Sequence, residues 1–241
     1  MSGHSRWHQI RHRKSITDAK KGNLFSKVAR LIMVAAKEKG RDPAMNPKLR
    51  MAIEKARVVG VPKENIERAI ERGSSGIEAG ALEEVLYEAY GPGGAALLIE
   101  GLTDNKNRTT NEIKHTLSEH GGKLGSAGSV EWMFEKRGAV DVPETKNTMP
   151  HDDLGLALID AGAADIRDYE EGVTAYAEPQ HIEALKEALT KKGIAFGDVY
   201  VDYLTKTPHL VNAGDRASLE KLIAVLDENE DVQEIYTNVT L

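Results

Sequence analysis

The spacing of apolar residues changes once along this chain, near residue 76, and that change limits the fold more than any other feature. Before it, Leu24, Phe25, Val28, Leu31, Ile32 and Ala35 recur at intervals of three and four, which makes one face of a helix from about Thr17 to Lys39. Gly40 suits the position just past the end of that helix. Asn46 is a capping residue with Pro47 behind it, so a second helix follows, with Leu49, Ile53 and Ala56 inward and Gly60 as its end. Pro62 opens a third helix carrying Ile66 and Ile70, with Gly73 expected to close it. Short helices joined by short loops predict an α-helical domain over residues 1–76.

After "GSSGIEAGA" the pattern becomes that of strands and helices in alternation. "EVLYEAYG" and "GAALLIE" read as strands around the turn Gly91-Pro92-Gly93-Gly94. A helix from about Thr109 to Glu119 follows, then the glycine-rich "GGKLGSAG", then "SVEWMFE", in which Val130, Trp132 and Phe134 alternate as in a strand. Residues 138–203 read as βαββαβ, the ferredoxin-like order, with helices at 151–161 and 179–191. The chain then offers a strand ("HLVNA"), a helix (215–227) and a strand ("VQEIYTN").

"NEIKHTLSEHGGKLG", "HIEALKEALTKKGIA" and "SLEKLIAVLDENEDV" form a weak repeat, each an amphipathic helix leading into a strand. The first and third can complete one sheet domain around the second. The fold class is therefore α+β: a three-helix domain, a split α+β domain at 77–136 and 205–241, and an inserted βαββαβ domain at 137–204, both sheet domains being ferredoxin-like.

Charge divides the chain at nearly the same place. Residues 1–72 hold 18 Lys and Arg against 7 Asp and Glu, whereas the remainder holds 14 against 31, so a strongly basic part precedes a strongly acidic one within a net charge of −6. That asymmetry points to a module that meets a polyanion, joined to a body that polyanions avoid. With no cysteine, disulfides, thiol chemistry and a zinc ribbon are excluded. The longest apolar run, "LIMVAA", is too short to span a bilayer, and no apolar signal segment follows the basic start. The expectation is a cytoplasmic protein with no membrane partner.

The basic part begins with "GHSRWHQIRHRKSITDAKKG", six cations against the single acid Asp18, with three histidines and Trp7 among them. Lys and Arg neutralise phosphates and release counterions, and a tryptophan can stack on an unpaired base. The candidate nucleic-acid-binding residues are Arg6, Trp7, His8, Arg11, His12, Arg13 and Lys14 of the arm; Lys20, Lys21, Lys27 and Arg30 of the first helix; and Lys48, Arg50, Lys55 and Arg57 of the second. The plainer alternative is a solvated helix face, which the scarcity of neighbouring acids opposes. Lys63, Glu64, Glu67, Arg68, Glu71 and Arg72 mix their signs and fit that alternative.

Lys106 and Arg108 in "TDNKNRTT" stand at a helix start and complete the candidate list. There, free N–H groups and two cations suit a phosphate, and a capped turn suits the same residues equally. "GPGG" is not a P-loop. "GSAG" resembles the RNA-clamping loop of KH domains, although a tight turn is its simpler reading. His4, His8 and His12 share a helical spacing, but the surrounding cations repel a divalent ion, so no metal is expected. His151-Asp152-Asp153 and the acid run "DENED" at 227–231 read as a helix start and a helix–strand turn. Without a paired nucleophile and base, no catalysis, cofactor or small-molecule substrate is expected.

The ordered blocks "GHSRWHQIRHRKSITDAKKGNLFSKVAR", "AAKEKGRDPAMNPKLRMAIEKAR", "VPKENIERAI", "YEAYGPGGAALLIEGLTDNKNRT", "GGKLGSAGSVEWMF" and "DVQEIYTN" together resemble the YebC family, which includes the mitochondrial translational activator of cytochrome c oxidase. Arg6 and Lys106 stand where the family pattern has lysine and arginine. The resemblance implies three domains around a concave surface, no catalysis and a role in gene expression. For most members that role is described as DNA-binding transcriptional regulation, and for some as translation on the ribosome. The partner implied is a nucleic acid, either DNA or rRNA, with the ribosome as the alternative assembly.

Overall fold

The computed structural model describes residues 18–75, 82–169 and 172–241, with side chains from residue 21 onward in the first of these spans. Three helices come first: α1 (Asp18–Lys39), α2 (Pro47–Val59) and α3 (Lys63–Ser75). Val28, Ile32, Ala35 and Ala36 of α1 pack on Leu49, Ala52, Ile53 and Ala56 of α2 and on Ile66 and Ala69 of α3. Each fully buried aliphatic side chain in such a core contributes about 1.5–3 kcal/mol.

Asn46 joins the first two helices. Its side-chain oxygen accepts from the Leu49 N–H at 3.0 Å, and its amide donates to the carbonyls of Ala35 and Gly40 at 2.7 and 2.8 Å. One residue therefore caps α2 and closes the end of α1, and such a cap is worth about 1 kcal/mol. Gly73 does not stop the third helix as its glycine character suggests. It lies inside α3, where an added Cβ would come within 2.4 Å of the Met33 carbonyl, so its place is set by close helix packing.

A four-stranded antiparallel sheet follows, in the order β3-β1-β2-β8. Strands β1 (Glu83–Tyr90) and β2 (Ala96–Thr103) form a hairpin in register from Glu83↔Thr103 to Tyr90↔Ala96. Helix α4 (Lys106–Glu119) leads to the two-residue strand β3 (Lys123–Leu124). Late in the chain α7 (Ala213–Asp227) leads to β8 (Val232–Thr237). Ile113 and Leu117 of α4, with Leu219, Leu222, Ile223 and Leu226 of α7, pack against Tyr87, Ala89, Leu97, Ile99 and Ile235 of the sheet.

Between these parts runs the second sheet, β5-β6-β4-β7, made of β4 (Phe134–Pro143), β5 (Asp165–Tyr169), β6 (Gly172–Ala177) and β7 (Val199–Thr205). Helices α5 (His151–Asp160) and α6 (Ile182–Lys191) complete the ferredoxin-like order. Leu154, Leu158, Leu185 and Leu189 of these helices close a core over Val140, Val142, Val173 and Ala175. Internal contacts divide the chain into two compact units, Phe134–Leu204 and the remainder. Both sheets carry their helices on one face, the α+β class expected, and no described helix is long and apolar enough to cross a membrane.

Two expected strands are absent from the described residues. "HLVNA" makes one isolated bridge, His209 to Val239, and is otherwise loop. Residues 131–133 form a single 3₁₀ turn, and the strand begins at Phe134, so Trp132 is not a strand residue. The cause lies in β1: the Glu88 carboxylate accepts the backbone N–H groups of Gly128, Val130 and Glu131, which occupies the donors that a ladder would need.

Candidate nucleic-acid interface

The arm residues Arg6, Trp7, His8, Arg11, His12, Arg13 and Lys14 lie outside the described residues, as does the side chain of Lys20. Lys21 stands exposed near the start of α1. The remaining candidates separate into two groups according to what their charges face.

The first group meets carboxylates of the split sheet domain. Lys27 is only 5% exposed; its ammonium donates to the Asp227 carbonyl at 2.6 Å and pairs with the Asp227 carboxylate at 3.1 Å. Arg30 pairs with Asp231 and Glu230 and reaches the Leu102 carbonyl at 3.3 Å. Lys55 pairs with Glu234 at 2.8 Å in a mostly buried contact. Lys48 lies between Glu38 and Glu84, at 2.8 and 2.6 Å; those two carboxylates outweigh its partial burial and raise its pKa above the ordinary lysine value. Asn23 adds an amide donated to the Glu228 carbonyl at 2.8 Å.

Asp231 is the centre of this arrangement. Its carboxylate, whose side chain is 4% exposed, accepts from Arg108 at 2.7 Å, from the Thr109 hydroxyl at 2.6 Å and from the Thr103 hydroxyl at 3.2 Å, in addition to Arg30. Burial alone would raise its pKa; the hydrogen bonds from Thr109, Arg108 and Arg30 overcome that and hold it below the usual aspartate value. Arg108 is held further toward its charged form by Asp231 and Asp104. The acid run 227–231 is thus an ionic socket for the helical domain, a role its turn-like sequence does not disclose.

In "TDNKNRTT" the donors at Arg108 are taken up by this arrangement. The Asn105 side chain caps the Arg108 N–H at 3.1 Å, and Arg108 is engaged by Asp104 and Asp231. Of the two cations, Lys106 remains exposed in the first turn of α4. "GSAG" is a tight turn held at both ends by Glu88, whose carbonyl accepts the Gly125 N–H and whose carboxylate accepts the Gly128 N–H.

The second group faces outward. Arg50 donates to the Pro43 carbonyl at 3.1 Å, which places its guanidinium against the α1–α2 turn, and Arg57 is exposed farther along α2. Around the same turn stand Lys37 and Lys39 in the last turn of α1 and Arg41 just beyond it, all exposed. Three acids stand near these cations: Glu38 pairs with Lys48, Asp42 accepts the Ala44 N–H, and Glu54 is exposed on α2 between Arg50 and Arg57. Sequence reasoning passed over Lys37, Lys39 and Arg41. The signal was available, since three cations within five residues flank a helix end.

Comparison with known proteins adds to this geometry. A family profile described as the TACO1/YebC protein N-terminal domain matches residues 5–76, and a second, the TACO1/YebC second and third domain, matches residues 82–239. The chain belongs to the TACO1/YebC family. A relative from Thermoanaerobacter pseudethanolicus, named as a probable transcriptional regulatory protein, is 47% identical over all of this chain and 98% of its own length. One of the same name from Caldanaerobacter subterraneus is 44% identical over 100% and 99%. The crystal structure of a conserved hypothetical protein, Aq1575 from Aquifex aeolicus, is 38% identical with a TM-score of 0.86, covering 98% of this chain and 97% of that one. In this TACO1/YebC chain, the boundary between the two family profiles falls where the apolar spacing changes, so the socket at 227–231 belongs to the second matched segment, as does Arg108, whereas Lys27 and Arg30, which it also receives, belong to the first.

Proposed function

We propose that the protein is a non-enzymatic regulator of gene expression that acts in the cytoplasm by binding nucleic acid, without metal, cofactor or small-molecule substrate. The observation that carries this reading is the outward group Lys37, Lys39, Arg41, Arg50 and Arg57, five cations beside three acids, Glu38, Asp42 and Glu54, of which Glu38 is paired with Lys48. A surface on which cations outnumber acids attracts phosphate. The basic arm that precedes α1 in sequence extends the same character. The names of the relatives, probable transcriptional regulatory proteins, support duplex DNA as the partner.

A second reading, an rRNA- or ribosome-associated translation factor, is favoured by Trp7 standing between Arg6 and His8, a composition suited to unpaired bases. Salt-titrated binding to matched duplex DNA, structured RNA and ribosomes separates the two. Tightest retention on duplex DNA near physiological salt supports transcription. Retention on ribosomes alone supports translation. Binding to none of the three at moderate salt contradicts both. Deleting residues 2–14 should weaken whichever contact is found.

A further inference from the structure

We infer that Trp132 is a stacking platform for an unpaired base of a single-stranded nucleic acid, with Lys123 and Lys206 placed to meet the flanking phosphates. This rests on the nucleic-acid reading above and names a contact outside the helical domain. Trp132 is 57% exposed although it sits on a tightly pinned loop. Its indole N–H donates to the Ser129 carbonyl at 3.1 Å, and the Tyr90 hydroxyl donates to the same oxygen at 3.0 Å. The ring is thereby fixed by its edge while more than half of its surface stays in water.

The support beneath it is stiff. Glu88, 6% exposed, spends its carboxylate on the loop N–H groups, and its own carbonyl accepts from the Gly125 N–H at 2.7 Å. Those hydrogen bonds also hold the Glu88 pKa below the ordinary glutamate value against the opposing effect of burial. The loop keeps this carboxylate ionised and hidden from a polyanion. The Lys123 ammonium lies 5.4 Å from the Tyr90 ring centroid, and the exposed Lys206 is tied by its N–H to the Met133 carbonyl at 2.8 Å. Glu131, exposed beside Trp132, is the opposing charge on the loop.

Burying an indole is among the larger apolar gains open to a fold, so a rigid loop that leaves one in water has forgone it. A pre-set ring loses little entropy on binding, and every base offers a face to stack on. Lys123, which reaches the Tyr90 ring, and the exposed Lys206, whose backbone is tied to the residue after Trp132, suit a phosphodiester strand better than an apolar peptide.

The test uses the full chain, a fluorescein-labelled oligouridylate and a duplex of equal length at one moderate salt concentration. Trp132→Ala should weaken single-strand binding about 5- to 150-fold, as expected from stacking of about 1–3 kcal/mol per base. Trp132→Tyr should restore most of that affinity, and duplex binding should be nearly unchanged. Oligouridylate should quench wild-type tryptophan emission more than that of Trp132→Tyr. Unchanged single-strand affinity in Trp132→Ala overturns the inference while leaving the basic helical surface as the contact. Equal losses for duplex and single strand overturn it too, as does uridine monophosphate binding as tightly as the strand. Absence of binding to every nucleic acid tried overturns it together with the reading on which it rests.

Discussion

The two sides of the helical domain use the same residue types for opposite purposes. On one side Lys27, Arg30 and Lys55 run into the acids of α7, β8 and the turn between them, and most of their surface is removed from water. On the other, Lys37, Lys39, Arg41 and Arg57 are exposed at or beyond the α1–α2 turn, and the half-buried Arg50 lies against it. The lesson is that a count of cations does not measure a binding surface. An ammonium or guanidinium already held by a buried carboxylate cannot be given to a phosphate without leaving that carboxylate unpaired, a cost of several kcal/mol. The inward cations fasten the helices to the sheet, and the outward ones remain for a partner.

The strongest way to break this comparison is to remove the socket. Asp231→Ala leaves Arg30, Arg108 and two threonine hydroxyls without their acceptor, and should cost about 3 kcal/mol in urea unfolding. A loss under about 0.5 kcal/mol would mean that the inward cations are not structural. The opposite substitution set, Lys37→Ala with Lys39→Ala and Arg41→Ala, should leave unfolding within about 0.5 kcal/mol of wild type. Nucleic-acid affinity should fall about tenfold or more, and the slope of log affinity against log salt should shrink by about 2 to 3. Unchanged affinity and slope would show that this turn is not the contact.

Smaller effects sharpen the boundary between the groups. A double-mutant cycle on Lys55 and Glu234, mostly buried, should give a coupling of about 1–2 kcal/mol that resists salt, whereas Lys48 and Glu84, both substantially exposed, should give under about 1 kcal/mol. Equal couplings would erase the distinction. Acid supplies the next test. The Asp231 pKa is depressed in the folded chain, so its contribution is complete above the unfolded value of about 3.9 and disappears as pH falls through the folded one. Acid unfolding of wild type should therefore be steeper below about pH 4 than that of Asp231→Asn; superimposable curves would contradict the assignment.

His151, in the other unit, sets the floor. It pairs with Glu144 at 2.5 Å and Asp168 at 3.3 Å, both exposed, and its pKa is raised chiefly by the hydrogen bond to Glu144. Its small contribution is complete below about pH 6.5 and is lost as pH rises through the raised value. An NMR titration should find that value above about 6.5, and one below it would refute the pairing.

Much of the scaffold was legible because it depends on neighbours in sequence. Leu49, Ile53 and Ala56 mark a helix by spacing, Asn46-Pro47 marks its start, and the βαββαβ order follows from alternating runs. What escaped depends on distant partners. Lys27 and Asp227 are 200 positions apart, so the basic helix and the acid run each look solvated until the fold brings them together. Val130, Trp132 and Phe134 alternate as in a strand, but Glu88, 42 positions from Val130, takes the N–H groups a strand would use. Gly73 reads as a stop because glycine usually is one, and the Met33 backbone that requires it belongs to another helix.

Lysine acetylation footprinting, with and without saturating nucleic acid, reads both sides of the helical domain in one experiment. The outward Lys37 and Lys39 should react freely in the unbound protein and be protected on binding, while Lys27 and Lys55 should react slowly in both states. Protection confined to other lysines, or rapid acetylation of Lys27 and Lys55 in the folded protein, would contradict the division of this surface into fastening and binding cations.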